Sequence, residues 1–244
     1  MSDANGDDVG GSGTSREGPA LRLAVELRTP RSAAVAGIVF ALILGAVIVL
    51  FRSAGPAASG GDESWLTDDG RRSTVSLAMN LVPFAGIAFL WFIGVLRARL
   101  GAREDKLFAT VFLGSGLLFV AMLFAGSGVL GAVLALESRG GPLSTDTVAL
   151  AQFVTAALVG TFGARMAAVF TLSATTAALR TGSVPRWIAY AGYAVAVVLL
   201  LSPPITGWTQ LLFPAWVLLV SLYILVATGS ESPARGRERP GPSV

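Results

Sequence analysis

Six apolar runs, most of them near or above the roughly 20 residues a helix needs to cross hydrocarbon, fill most of this 244-residue chain. They hold almost nothing that ionises. No Asp or Glu lies inside a run, Arg165 is the one cation that does, and Asn80 and Gln152 are the main neutral polar residues there. With 53% hydrophobic and only 14% charged residues, a chain of this length could not cover a water-facing surface. Lipid is therefore the expected solvent, and the expected fold is all-α, a polytopic six-helix transmembrane bundle.

The runs divide the chain into a cytoplasmic N-tail (1–30), a membrane domain (31–228) and a C-tail (229–244). Residues 1–20 and 229–244 are too polar and too rich in Gly, Ser and Pro to offset the entropy of ordering. Between them, residues 21–31 alternate apolar and charged side chains and suit a short interfacial segment that Pro30 should end. The first run begins near residue 33, spans about 19 residues and is followed by Arg52, not by a small-residue cleavage site. It reads as a retained anchor. The spans are expected at about 32–51, 75–96, 107–136, 147–167 with a helical extension to 180, 186–202 and 208–228.

Several local signals refine these spans. Ala33, Gly37, Ala41 and Gly45 recur every four residues and place small side chains on one face of the first helix. Such a stripe lets two backbones approach closely, either within the chain or in a dimer. Pro83 should bend the second span. GSG occurs at 114–116 and 126–128, an offset that turns the second copy by about 120°, so the two mark separate points of close packing or bending. Ser144 or Asp146 can cap the fourth span, Gly182 can end it, and Pro185 suits the first turn of the fifth. In the loop 52–74, Trp65 and Leu66 are expected among the lipid headgroups. The acids Asp62, Glu63, Asp68 and Asp69 fit no EF-hand spacing and are expected to be solvated.

Orientation follows from charge. With six spans and both termini cytoplasmic, thirteen Lys and Arg side chains fall in inner segments and four in outer ones. That bias obeys the positive-inside rule, and it places Trp187 at the inner interface and Trp208 at the outer. The same scatter of cations among tails and loops argues against a nucleic-acid partner. Seventeen of the eighteen cations are Arg. With the heavy use of Ala, Gly and Val, this points to a GC-rich bacterial genome and hence to a plasma membrane.

The chain contains no His and no Cys. Serine dyads that need a His base, His-ligated metals and haem, and thiol redox chemistry are excluded. Proton relays and carboxylate-pair chemistry need acids at membrane depth, and Glu137 and Asp146 lie only at span ends. No catalytic residue, metal or cofactor is expected. A charge in a membrane span tends to face a cavity or a partner, which makes Arg165 the sharpest ligand-binding candidate; any ligand it held would be anionic. Asn80 and Gln152 lie at similar depth and are candidates beside it. Gln152 and Arg165 stand about 140° apart on a straight helix, so one pocket holding both needs a kink at Gly160 or Gly163.

The turn RTGSVPRW, Arg180 to Trp187, resembles one in a group of bacterial six-span integral membrane proteins of uncharacterised function. The resemblance covers eight residues and implies a membrane location and no known activity. Two functions are expected from these residues. One is a non-enzymatic accessory, scaffold or regulatory subunit that binds a membrane-protein partner or a second copy through helix contacts in the bilayer. The other is a small transporter or binder of a lipid-like or anionic molecule, using Arg165.

Overall fold

The computed structural model describes residues 18–55, 64–100, 106–141, 143–201 and 207–229. The described residues form eight α-helices: α1 (Gly18–Ala54), α2 (Ser64–Thr67), α3 (Asp69–Leu100), α4 (Lys106–Ser138), α5 (Thr145–Thr155), α6 (Ala164–Arg180), α7 (Arg186–Leu201) and α8 (Leu212–Gly229). A π-helical stretch, Ala156–Gly163, joins α5 to α6 without a break, and a 3-10 turn, Gly207–Leu211, leads into α8.

Five helices are long and apolar enough to cross a membrane: Ser32–Ala54, Asp69–Arg97, Ala109–Ser138, Thr145–Arg180 and Trp208–Ala227. The chain therefore has the architecture of a multi-pass membrane protein. The expected fifth span is shorter: α7 has 16 residues, about 24 Å against a hydrocarbon core of about 30 Å. The expectations for the two tails fall largely on residues 1–17 and 230–244, which lie outside the described residues. Pro30 does not end a helix, as its sequence context suggested: α1 starts at Gly18 and runs through it. A proline removes one intrahelical donor and can be carried inside a long helix, as Pro83 is inside α3.

Two helix ends are set by residues that signalled them, Ser144 and Gly182. Ser144 caps α5, its Oγ accepting from the Thr147 backbone N–H at 3.2 Å. Asp68 caps α3 through the Arg71 N–H at 3.0 Å. At the end of α6, Gly182 adopts φ +66°; its N–H donates to the Leu179 carbonyl and that of Ser183 to the Ala178 carbonyl. This is a Schellman closure, which needs a left-handed residue that glycine supplies without strain. Pro185 sits one position before α7, not in its first turn, and its carbonyl accepts from Ile188 and Ala189. Trp187 and Trp208 are both exposed, at the start of α7 and just ahead of α8.

Seven phenylalanines from five helices hold the centre. Phe40 of α1, Phe89 and Phe92 of α3, Phe112 and Phe119 of α4, Phe170 of α6 and Phe213 of α8 are all buried. Phe89 lies 4.5 Å from Phe40, 5.0 Å from Phe170 and 5.4 Å from Phe119 between ring centroids, and Phe119 lies 5.0 Å from Phe213. Most of these pairs meet edge to face, the arrangement ring quadrupoles prefer, worth about 0.5–1.5 kcal/mol each beyond burial. Lipid tails are as apolar as Leu, so such packing, and not the hydrophobic effect, associates helices in a membrane.

The small-residue stripe of α1 packs within the chain. Ala33, Gly37 and Ala41 are buried, and α1 lies against α3 and α8. A Cβ at Gly37 would overlap Ser221 Oγ and come within 2.9 Å of Phe92. Gly45, the fourth member, has nothing within 4 Å of that position. Each GSG spends one glycine on a close approach: Gly116 against Ile93 and Phe170, Gly126 against Val159 of the π stretch.

Trp65 and Leu66 are not at a lipid surface. Both are buried in a satellite core with Ala54, Val75, Leu130, Val133, Val148 and Ala151, because α2 folds back over the ends of α1, α3, α4 and α5. Burying an indole there secures far more packing than an interfacial position would, although Trp65 Nε1 has no hydrogen-bond partner among the described residues.

Candidate functional site

A cavity of about 360 Å³ lies between α1, α3, α4, the α5–α6 span, α7 and α8. It is within the range of about 300–1,000 Å³ typical of small-molecule sites. The cavity lies toward the end of the bundle where α1 and α7 finish and where α3, α5 and α8 begin. Along α1 it is lined from Leu44 to Ser53, nine residues or about 14 Å, which carries it roughly halfway through a hydrocarbon core of about 30 Å.

Its two ends differ in chemistry. The floor is Phe119 and Phe213 of the aromatic cluster with Val82 of α3; the walls are Leu44, Val47, Ile48, Leu123, Val159 and Leu199. The rim holds Arg52, Ser53, Arg71 and Gln210, all at helix ends. Arg52 is exposed and Arg71 half-buried. Arg71 donates through Nε to the Ala54 carbonyl at 3.2 Å and through Nη2 to the Gly55 carbonyl at 3.3 Å. These are unpaired carbonyls at the C-terminus of α1, where the helix dipole is negative. Arg71 thus closes the helix end and neutralises it.

The fourth span gives the cavity its shape. α5 packs on α4, whereas α6 packs on both α7 and α4. The π stretch lies where the span passes from one arrangement to the other. A π turn widens the helix and shifts the register of everything beyond it, and Ala156, Val159 and Gly160 of that stretch line the cavity. It is pinned to α4: Thr155 Oγ1 donates to the Gly126 carbonyl at 3.2 Å, and Val159 packs over the bare Cα of Gly126.

The three residues singled out from sequence are not brought together. Gln152 is buried, 6% exposed, and lines the cavity. Arg165 is half-buried outside the lining; its Nη1 donates to the Thr161 carbonyl of its own helix at 2.9 Å. Asn80 is exposed and its Nδ2 donates to the Ser76 carbonyl at 2.9 Å. The span does deviate between Gln152 and Arg165, over a stretch that contains Gly160 and Gly163, yet the deviation leaves Arg165 out of the cavity. The rim residues Arg52, Arg71 and Gln210 gave no sequence signal, because they come from three segments that meet only in the fold.

Three of the described acids near this end are otherwise engaged. Asp68 caps α3. Asp69 pairs with Arg72 at 2.6 Å, and Glu137 pairs with the same guanidinium at 2.9 Å, tying α3 to α4. Among the described residues, no group of three or more His, Cys, Asp or Glu side chains could hold a metal. The lining offers no nucleophile-and-base pair; it offers apolar walls, neutral hydrogen-bonding groups and cations. Chemically, that arrangement can bind and orient an amphiphile. The chain matches no protein-family model, no curated protein and no solved structure.

Proposed function

We propose that this protein is a non-enzymatic, multi-pass membrane protein that binds a lipid-like amphiphile in the cavity between its helices. The observation that carries the reading is the polarity gradient of the lining, from Phe119 and Phe213 at the floor to Arg52, Ser53 and Gln210 at the rim. A purely apolar void would suit packing error or a gas; a purely polar one would suit an ion. A space that is greasy at membrane depth and polar at the helix ends matches a molecule with the same division. The burial of three of the four stripe residues of α1 within the same chain favours this reading over a scaffold role.

In this reading α7 completes six spans, and both termini face the cytoplasm of a bacterial cell, as the thirteen-to-four distribution of cations supports. The cavity then opens at the outer interface. The resemblance of the Arg180–Trp187 turn to that of bacterial six-span proteins accords with the same placement.

Native mass spectrometry of the protein, released from membranes under mild conditions, tests the binding. The wild type should carry a small amphiphile as a stable adduct. Ala156→Phe, which fills the lining beside the π stretch, should remove the adduct while the unfolding midpoint stays within a few degrees. A bare wild-type protein, or an adduct that survives the filling, would refute the reading.

A further inference from the structure

We infer that the amphiphile is a single-chain molecule with an anionic head, and that Arg52 is the side chain that selects the charge. The inference rests on the binding reading above and adds the ligand class to it. The size sets the first part. A cavity of about 360 Å³, at the lower end of the range of about 300–1,000 Å³ for small-molecule sites, suits one acyl chain of moderate length.

The rim sets the second part. The charged side chains of the described lining are Arg52 and Arg71, both cationic. No described acid is in the lining; Asp68 is committed to the α3 N-terminus and Asp69 and Glu137 to Arg72. The C-terminus of α1 would by itself repel an anion, since its last carbonyls point toward the rim. Arg71 covers two of those carbonyls and removes that repulsion. It acts as a positioning residue. Arg52, on the last turn of α1, is exposed and makes no ion pair among the described residues. Its planar guanidinium can take a carboxylate or phosphate oxygen pair in bidentate fashion. Ser53 and Gln210 stand beside it on the rim as neutral hydrogen-bonding groups.

Arg165 does not compete for this role. It lies on α6, outside the lining, and bonds back to its own helix. The anion preference therefore belongs to the end of α1 and not to the middle of the fourth span.

The test uses the full chain in nanodiscs of zwitterionic phosphatidylcholine. The probes are two twelve-carbon chains that carry a photoreactive diazirine near the tail and end in a carboxylate or in a hydroxyl. After irradiation, peptide mass spectrometry maps the labelled residues. The carboxylate probe should label the floor, at Phe119, Leu123 or Phe213, and the hydroxyl probe should label it about fivefold less, the weight of a partly exposed charge pair. R52Q should reduce carboxylate labelling by a similar factor without affecting the hydroxyl probe, R52K should restore most of it, and 0.5 M salt should weaken the preference. Equal labelling by the two probes, unchanged by R52Q, would overturn the anionic head and leave the amphiphile reading in place. Absence of floor labelling by both probes would overturn both.

Discussion

Gly37 and Gly45 occupy equivalent places in one small-residue stripe, yet the structure gives them opposite responses to the same substitution. In Gly37→Ala the new methyl would overlap Ser221 Oγ and lie 2.9 and 3.0 Å from two ring carbons of Phe92. Phe92 is fully buried and stacked 6.2 Å from Phe89, so it has nowhere to move. Overpacking of this kind costs about 1–3 kcal/mol. The better helix propensity of Ala returns at most about 1 kcal/mol, leaving a net loss of about 1–2 kcal/mol. Gly45→Ala meets nothing within 4 Å and should be neutral or stabilising by up to about 1 kcal/mol. Ser221 provides the internal control. Its hydroxyl is fully buried with no hydrogen-bond partner among the described residues, so Ser221→Ala should not destabilise, and it removes the closest obstacle to a methyl at position 37. The double variant G37A/S221A should then recover about 1 kcal/mol, a coupling well inside the range for contacting residues. Reversible unfolding by SDS titration in mixed micelles measures all four proteins. Equal stabilities for the Gly37 and Gly45 variants, or strict additivity of the Gly37 and Ser221 changes, would show that α1 and α8 do not meet as described.

Three further outcomes are expected. Trp65→Ala should cost about 3–5 kcal/mol, as for other buried aromatic truncations, whereas Trp65→Phe should cost far less because it also removes an indole N–H that has no partner among the described residues; SDS titration distinguishes the two. Inserting one Ala after Phe153 should turn the part of α5 before it by about 100° relative to α6, carrying Gln152 off the cavity wall and abolishing the amphiphile adduct in native mass spectrometry while the protein still inserts. The chain has no Cys, so S53C and S183C each create a unique thiol; a membrane-impermeant maleimide on intact cells should label S53C and spare S183C until the cells are opened.

The helices and most of their ends could be read from the chain because their causes are local. Apolar length specifies a span, and a Ser, Gly or Pro at a fixed offset specifies its cap, as Ser144 and Gly182 show. The stripe on α1 was legible as a packing face, and at Gly37 that face meets Ser221 and Phe92 of the same chain. What could not be read depends on where distant segments meet. Trp65 looked interfacial because nothing in its neighbours reveals that α2 folds under four helix ends. The phenylalanine cluster draws on five helices, and single Phe residues among Leu and Ala carry no pattern. The π stretch has the composition of any apolar helix. Its register shift follows from the packing of α5 on α4 and of α6 on α7, which no periodicity records. Arg165 drew attention because a charge in an apolar run is costly, and a bond to its own Thr161 carbonyl accommodates it. The rim around Arg52 was invisible because helix-end arginines are common and only the fold shows that this one borders a cavity.

The space above Phe119 and Phe213 is proposed as a ligand site. An electron cryo-microscopy map of the protein in discs of its own native lipid examines that space directly. An elongated density should begin beside Arg52 and Gln210 and run down to the two rings. Side chains collapsed across the space, with no density between α1 and the π stretch, would contradict it.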